Sequence, residues 1–343
     1  RSHILNVFNE ENPEHYIQLL YVTPEMVVNS VAFRKALESL YRKKKFARLV
    51  IDEAHCVSQW GHDFRPDYKQ LGELRRKFPG VPVMALTATA THNVIADIKH
   101  NLSMENCEVF SQSFNRPNLY YEVRHKGPHY VRDIGEMIVN KYPGQSGIIY
   151  TLSRHAAEST AATLKEKFHL KVRHYHAQID PNLKVEIQNE WQSGEIQVVV
   201  ATIAFGMGID KPDVRFVIHQ NIPKSLEGYY QETGRAGRDG QGSDCYLYFC
   251  WQDVPILRRL INNDPEKLPE EKARQRDLLN NMIMYCESKY SCRRVQILRY
   301  FGEQFDPADC NNLCDNCRDG RTGAGGFEKV DVTESALAIL KAV

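Results

Sequence analysis

The chain lacks an excess of charge of either sign. Its 343 residues carry 44 lysines and arginines against 43 aspartates and glutamates, a net charge of +1. This balance argues against a passive polyanion binder, although a local basic groove is still allowed. Long hydrophobic runs are also missing, since no stretch approaches the ~18 apolar residues of a membrane span, and no membrane partner is expected. With 42% hydrophobic residues, the chain can nevertheless bury a full core.

Cysteine is too sparse for a secreted disulfide framework, because only nine occur and five of them are scattered. The remaining four follow the spacing C-x17-C-x3-C-x2-C and are Cys292, Cys310, Cys314 and Cys317. Four thiolates with a closing C-x-x-C pair are typical of a tetrahedral structural Zn²⁺ site. A redox C-x-x-C pair is the alternative, and the two further cysteines argue against it.

A phosphate loop of the form G-x-x-x-x-G-K-[ST] is absent from all 343 residues. Another part of a nucleotide-hydrolysing site is present, because the apolar run 49–51 leads directly into Asp52, Glu53 and His55. The Asp52 carboxylate can hold Mg²⁺ through water, and Glu53 can orient and deprotonate the attacking water. We expect His55 to couple this corner to neighbouring elements. The alternative is an acidic pair that caps a surface helix.

Arginines alternate with glycines in the segment 231–240, which reads QETGRAGRDG. Phosphoryl transfer needs positive charge on the γ-phosphate, and the forked guanidinium groups of Arg235 and Arg238 can supply it, with Gln231 nearby. The glycines allow the backbone a close approach. We therefore expect arginines of one lobe to act on a nucleotide held by the other. A glycine-rich surface turn with solvated arginines is the alternative.

Short apolar runs alternate with helical patterns twice along the chain, which predicts an α/β fold with two parallel-sheet lobes. Strands are predicted at 16–22, 49–51, 83–86, 147–150, 198–201, 216–218 and 245–250. Helices are predicted to begin at Pro24 and after Ser225, and Val94, Ile98 and Leu102 form one helical face. A charged helical region follows residue 252.

Two kinds of segment suit nucleic acid. In the segment 56–68, Trp60 and Phe64 are interleaved with His62 and Arg65, and exposed aromatic rings stack on bases of any identity. The alternative is that these aromatic residues belong to the core. Hydroxyl-bearing turns also follow two predicted strands, at Thr87 and at Thr202. Such turns at a strand's carboxyl end suit a backbone phosphate, although Thr87 by itself is also consistent with an ordinary strand end.

With these residues in hand, the chain resembles the RecQ family of DNA helicases, closest to the eukaryotic Bloom-syndrome type, over residues 16 to 320. The segments that carry the resemblance are, in helicase nomenclature, motif Ib at 21–25, motif II at 52–55, the aromatic-rich loop at 56–68, motif III at 87–90, motif IV at 147–154, motif V at 198–213 and motif VI at 231–240. The four cysteines fall where the family binds zinc.

The resemblance implies two RecA-like lobes, the first one truncated, and 3′→5′ unwinding of DNA driven by ATP with Mg²⁺. It implies Arg238 as the arginine finger and Asp52, Asp210, Arg235 and Arg238 as nucleotide-binding residues. The DNA-contacting residues that it implies are Thr23, Trp60, His62, Phe64, Arg65, Thr87, Ser153, Arg154 and Thr202. It further implies single-stranded and branched DNA as partners, a nuclear location, roles in repair, recombination and replication, and topoisomerase and recombination-protein partners.

The resemblance also sets the expected domain limits. They are a partial first lobe at 1–118, a second lobe at 119–251, a helical zinc-binding subdomain at 252–320, and a linker with the start of a winged-helix domain at 321–343. The family's adenine-reading segment and phosphate loop lie upstream of Arg1, so we expect a fragment that binds ATP poorly by itself. A DNA-binding fragment without catalysis and an RNA helicase are the alternative functions.

Overall fold

The computed structural model describes residues 2–58, 64–206, 209–265, 267–322 and 331–342. The chain forms two compact units, Arg1–Ser113 and Phe114–Val343. None of the helices in the described stretches is long and apolar enough to cross a bilayer.

The first unit contains a small parallel sheet, in which β1 (Leu49–Ile51) pairs with β2 (Val83–Ala85). Its helices are α1 (Ser2–Val7), α2 (Pro24–Asn29), α3 (Val31–Arg42), α4 (Pro66–Lys77) and α5 (His92–Asn101), with 3₁₀ turns at Pro13–His15 and Ala54–Val57. The predicted helical face of Val94, Ile98 and Leu102 is confirmed, since all three side chains are buried in the core of this unit.

The predicted strand at 16–22 is wrong. This segment follows a 3₁₀ turn and has no regular structure, and Tyr16 and Tyr21 are 70% and 87% exposed. Leu20 and Val22 pack against the core, but no strand among the described residues pairs with this segment. An apolar run forms a strand only where a neighbour accepts its backbone hydrogen bonds.

The second unit is built on a six-stranded sheet with the order β3-β8-β7-β4-β6-β5, in which all neighbours are parallel. Its strands are β3 (Leu119–His125), β4 (Ser146–Tyr150), β5 (Val172–Tyr175), β6 (Val198–Ala201), β7 (Val214–His219) and β8 (Ser243–Phe249). The prediction of a parallel sheet is confirmed for both units. It omitted β3 and β5, which form the two edges of the larger sheet.

Successive residues of the central strands enter two different cores, one on each face of the sheet. On one face, Ile149 packs with the helices α6 (Tyr130–Lys141) and α7 (Arg154–Phe168). On the other face, Ile148 packs with α8 (Pro181–Ser193) and α9 (Leu226–Thr233). As predicted, Ser225 caps α9, since its Oγ accepts a hydrogen bond from the Gly228 amide at 3.1 Å.

The C-terminal region is helical and begins on the same face as α8 and α9. It contains α10 (Asp253–Asn262), α11 (Pro269–Glu287), α12 (Arg293–Tyr300), a 3₁₀ turn at Pro307–Cys310, α13 (Asp315–Arg318) and α14 (Thr333–Ala342). The amide of Tyr121 on β3 donates to the carbonyl of Leu313 at 3.2 Å, so the cysteine-rich segment extends the edge of the sheet. The predicted four-domain division, including the winged-helix start, stays a prediction.

Candidate functional site

The acidic corner lies at the carboxyl end of β1. Asp52 is exposed, and its Oδ1 accepts a hydrogen bond from the Glu53 amide at 2.9 Å. Glu53 has φ 49° and ψ 43°, the left-handed region that a residue with a Cβ rarely occupies. Such a conformation costs about 1–3 kcal/mol and occurs often at functional sites. The turn therefore places two neighbouring carboxylates in different settings, and their different roles stay a prediction.

His55 connects this corner to the turn after β2. Its ring is buried, and Nδ1 lies 3.2 Å from Glu53 Oε2 and 3.0 Å from Thr87 Oγ1. The Thr87 hydroxyl donates to the Thr89 carbonyl at 3.0 Å and accepts from the Thr89 amide at 3.2 Å. Because its one hydrogen is engaged there, Thr87 can only accept from His55, so Nδ1 carries the proton. The expected coupling of His55 to a neighbouring element is thus present as a contact with Thr87.

The aromatic-rich loop is described only in part, since Trp60 and His62 lie outside the described residues. Phe64 is half-buried, with Lys69 Nζ 5.9 Å from its ring centre. The Arg65 amide donates to the Cys56 carbonyl at 2.9 Å, which ties the start of α4 back to the acidic corner. Thr23, predicted to contact DNA, is exposed, and its Oγ1 caps α2 by accepting from the Met26 amide at 3.3 Å. A capping role therefore accounts for this threonine locally.

In the second unit, the two arginines of segment 231–240 bind the turn that follows β6. Arg235 is buried and donates to the Gly206 carbonyl. Arg238 donates to the Ile209 carbonyl at 2.8 Å and to Asp210 Oδ1 at 3.0 Å. The structure thus brings Asp210 and Arg238 together, while Arg235 contacts Gly206. Gln231 lies half-buried on α9.

A cluster of contacts that the sequence did not reveal holds the arginine segment in place. The Arg116 guanidinium donates to the carbonyls of Gly234, Ala236 and Gly237 at 3.0–3.2 Å. The Asn118 amide donates to the Gly237 carbonyl at 2.8 Å. The residues 115–118, which read NRPN, contain no local pattern that marks this role.

The candidate DNA-contacting residues of the second unit follow the carboxyl ends of two neighbouring strands of its sheet. Ser153 follows β4 and Thr202 follows β6, and these strands pair so that Tyr150 lies opposite Ala201. Ser153 and Arg154 are exposed, and Ser153 Oγ caps α7 by accepting from the Ala156 amide at 3.1 Å. Carboxyl ends of parallel strands are where α/β sheets bind their ligands. The positions are therefore consistent with a shared nucleic-acid surface.

The four predicted zinc ligands come together in one buried cluster, with their Sγ atoms all within 4.8 Å of one another. Cys292 and Cys314 Sγ are 3.9 Å apart. Four thiolates at the usual Zn–S distance lie roughly 3.8 Å from one another, so the donor set fits tetrahedral Zn²⁺. Hydrogen bonds from the thiols of Cys292 and Cys310 lower the pKa of the Cys314 thiol.

A buried ion pair holds the two segments that carry Cys292 and Cys314. Arg293 is 2% exposed at its side chain, and its guanidinium makes two parallel hydrogen bonds to the Asp315 carboxylate, at 2.9 and 3.0 Å. Asp315 Oδ2 also accepts from the Val123 amide on β3 at 3.1 Å. These residues directly follow Cys292 and Cys314, so the pair positions two ligands and joins them to the sheet.

Three known families match consecutive parts of the chain. Residues 5–98 match the DEAD/DEAH box helicases, residues 129–240 the helicase conserved C-terminal domain, and residues 251–318 the RecQ zinc-binding domain. The ATP-dependent DNA helicase hus2/rqh1 of Schizosaccharomyces pombe is 51% identical over 325 residues, which is 95% of this chain and 24% of that protein. The chain belongs to the RecQ family of helicases.

Other RecQ-family relatives agree. The RecQ-like DNA helicase BLM of Xenopus laevis is 49% identical over 334 residues, covering 95% of this chain and 24% of that protein. The ATP-dependent DNA helicase Q1 of Rattus norvegicus is 42% identical, covering 99% of this chain and 54% of that protein. The chain thus spans between about a quarter and a half of the length of these curated relatives.

Solved structures support the fold. Dbp5 of Saccharomyces cerevisiae, in complex with RNA and ADP BeF3, matches with a TM-score of 0.51 and 18% identity, over 71% of this chain and 68% of that one. Lhr of Mycobacterium smegmatis, bound to ssDNA and AMP-PNP, matches with a TM-score of 0.51 and 22% identity, over 70% of this chain and 33% of that one. At this identity the likeness concerns the RecA-like fold alone.

Proposed function

We propose that the whole protein is an ATP-dependent 3′→5′ DNA helicase and that this chain supplies its water-activating corner, its arginine segment and its zinc-binding region. The observation that carries the proposal is the position of Glu53. Its carboxylate stands at the end of β1 in a left-handed turn and contacts His55, which in turn contacts Thr87. A base needs a fixed position relative to the water it deprotonates.

In this proposal, Glu53 accepts the proton of the attacking water at a carboxylate oxygen. His55 Nδ1 lies 3.2 Å from that carboxylate, and this contact limits its rotation. Asp52, which is exposed beside it, would hold Mg²⁺. When bound, the ion would supply positive charge for the phosphate oxygens. Thr87 links the same histidine to the end of β2, so a displacement of either strand end reaches the base.

The arginines have separate tasks. Arg235 is buried against the Gly206 carbonyl, so we propose that it mainly positions the turn after β6. Arg238 is 37% exposed at its side chain, and its partner Asp210 is 88% exposed. An exposed guanidinium with one acidic partner can exchange that partner for a phosphate. Arg238 is therefore the proposed arginine finger, and Gln231 supports it from α9.

Nucleic acid is proposed to bind through Thr202, Ser153 and Arg154 in the second unit and through Phe64, Arg65 and Thr23 in the first, together with Trp60, His62 and Thr87. Hydroxyls and amides at strand ends suit phosphates, and aromatic rings suit bases. Single-stranded and branched DNA are the proposed substrates. A nuclear location, roles in repair, recombination and replication, and topoisomerase and recombination-protein partners belong to the same proposal.

Hydrolysis is tested in a longer chain that carries a phosphate loop ahead of these residues. We expect Glu53→Gln to reduce DNA-stimulated ATP turnover by at least about 100-fold while leaving the affinity for single-stranded DNA unchanged. Glu73→Gln, on the exposed side of α4, is the matched control and keeps full turnover. Undiminished turnover in Glu53→Gln contradicts the role of Glu53.

A second candidate function is a module that binds DNA without turnover, favoured by the absence of a G-x-x-x-x-G-K-[ST] motif from these 343 residues. The 343-residue chain is titrated with labelled single-stranded DNA, and its ATP hydrolysis is measured in parallel. Binding without hydrolysis supports the DNA-binding module as the function of the 343-residue chain and leaves the activity of the longer chain open to its own test. An RNA helicase is separated by comparing DNA and RNA duplexes in the longer chain, where unwinding of RNA alone contradicts the DNA proposal.

A further inference from the structure

A second group of metal-type side chains lies at the opposite edge of the large sheet from β3. His174 is on β5, His176 follows the end of that strand, and Glu158 is in the second turn of α7. One ligand atom from each of the three lies within 4.8 Å of the others. Residues two apart on a strand point to the same side, so the H-Y-H sequence at 174–176 presents both rings together.

The three side chains are already arranged so that they could bind one metal ion together. The rings of His174 and His176 stack at 5.6 Å with 17° between their planes. His176 Nε2 is 2.9 Å from Glu158 Oε1. Two donors on one tetrahedral Zn²⁺ are ~3.3 Å apart at the usual bond lengths, so this pair needs to open by only a few tenths of an ångström.

The burial of these three side chains and their access to solvent also suit a metal site. His176 is 6% exposed, and among the described residues no hydrogen-bond partner reaches its Nδ1 atom. Glu158, in contrast, is 49% exposed at its side chain, and His174 is half-buried. The group is therefore anchored at one end and open to solvent at the other, which leaves an entry path and room for a water ligand.

We propose that Glu158, His174 and His176 form a second metal site, which binds a divalent transition-metal ion such as Zn²⁺ through two imidazoles and one carboxylate. Imidazole and carboxylate ligands suit Zn²⁺ and its neighbours, and three protein ligands leave the fourth position to water. The site is separate from the four cysteines in both its ligand type and its exposure. Metal binding at this site can be tested without the proposed helicase activity.

The position of the site gives it a structural consequence. Tyr175, between the two histidines, accepts a hydrogen bond at its carbonyl from the Thr202 amide at 3.2 Å. An ion that joins β5 to α7 therefore fixes the backbone that holds the turn after β6. Thr202 in that turn is one of the proposed DNA contacts.

The test uses the 343-residue chain with the cysteine site filled with Zn²⁺. Excess Zn²⁺ is added, and the bound metal is measured by equilibrium dialysis. We expect two equivalents for the wild type and one for both His174→Ala and Glu158→Gln, whose affinity for the second ion falls by more than roughly tenfold. His125→Ala, an exposed histidine at the end of the opposite edge strand β3, is the matched control and keeps two equivalents.

Co²⁺ provides a second readout that a merely structural role of the histidines does not change. Cobalt in the proposed site gives visible absorption without the thiolate charge-transfer bands of a cysteine site, and His174→Ala removes that absorption. Both variants alter side chains that are at least partly exposed, so they are expected to fold, which circular dichroism verifies. Binding of only one equivalent by the wild type, or a second equivalent that persists in both variants, overturns the proposal.

Discussion

The Nδ1 atom of His55 lies 3.0 Å from the Oγ1 atom of Thr87, so the segments after β1 and β2 are joined by a side-chain hydrogen bond. The two residues are 32 positions apart in the sequence. Because β1 and β2 are parallel, their carboxyl ends lie side by side. The proposed base Glu53 contacts the same histidine nitrogen, so this bond connects the hydrolytic corner to the neighbouring strand.

Replacing the Thr87 hydroxyl tests this connection. Thr87→Val preserves the side-chain shape but removes the acceptor for His55 and the bonds to Thr89, and we expect it to lower the free energy of unfolding by about 1 kcal/mol. Thr87→Ser retains the hydroxyl and is expected to stay within about 0.5 kcal/mol of the wild type. Urea unfolding monitored in the first unit measures both. A Thr87→Val variant as stable as Thr87→Ser contradicts the bond.

The cysteine cluster is tested by removing one ligand. Because metal binding is coupled to folding, Cys314→Ser is expected to abolish tightly bound zinc and to lower stability by at least about 2 kcal/mol, or roughly 4–8 °C in melting temperature. Cys250→Ser, outside the cluster, is the control and is expected to keep the tightly held ion. Metal analysis after dialysis and thermal melting are the measurements. Full zinc content in Cys314→Ser excludes this residue as a ligand.

The ion pair of Arg293 and Asp315 is expected to be costly to break. Both side chains are buried, and Asp315→Asn leaves an uncompensated guanidinium, which costs about 3–5 kcal/mol. Asp319→Asn removes an acidic partner from the exposed Arg318, where the loss is at most about 1 kcal/mol. Denaturant unfolding compares the two variants. Equal stability of both variants refutes a positioning role for the buried pair.

Two glycines of the arginine segment provide a matched comparison. Gly237 has φ +55°, and a Cβ there would lie 2.4 Å from Asn118 Nδ2 and 2.7 Å from the Gln241 carbonyl oxygen. Gly240 has φ +80° with open space around it. Alanine at either position would have to adopt a left-handed backbone conformation, which costs about 1–2 kcal/mol. Only Gly237→Ala would also bring a Cβ into a clash. We expect Gly237→Ala to be the less stable variant in urea unfolding, and the reverse order counts against the packing described.

Much of the architecture could be predicted because it depends on local pattern. The run Leu49–Ile51 is continuous and apolar, and the predicted strand has those bounds in the structure. Ser225 was expected to cap a helix, and its hydroxyl does so. The predicted strand at 16–22 failed because strand formation also requires a paired neighbour, which composition does not reveal.

The sequence by itself determined the family resemblance, the acidic corner and the four cysteines, because each depends on residue types at short, fixed spacings. Only the tertiary structure decided which distant residues support them. Arg116 reaches carbonyls about 120 positions away, and Glu158 meets His176 from a neighbouring helix. Such contacts follow from the order of strands in the sheet and from helix packing. They carry no local signal, since a hydrogen bond depends on distance in space and not on separation along the chain.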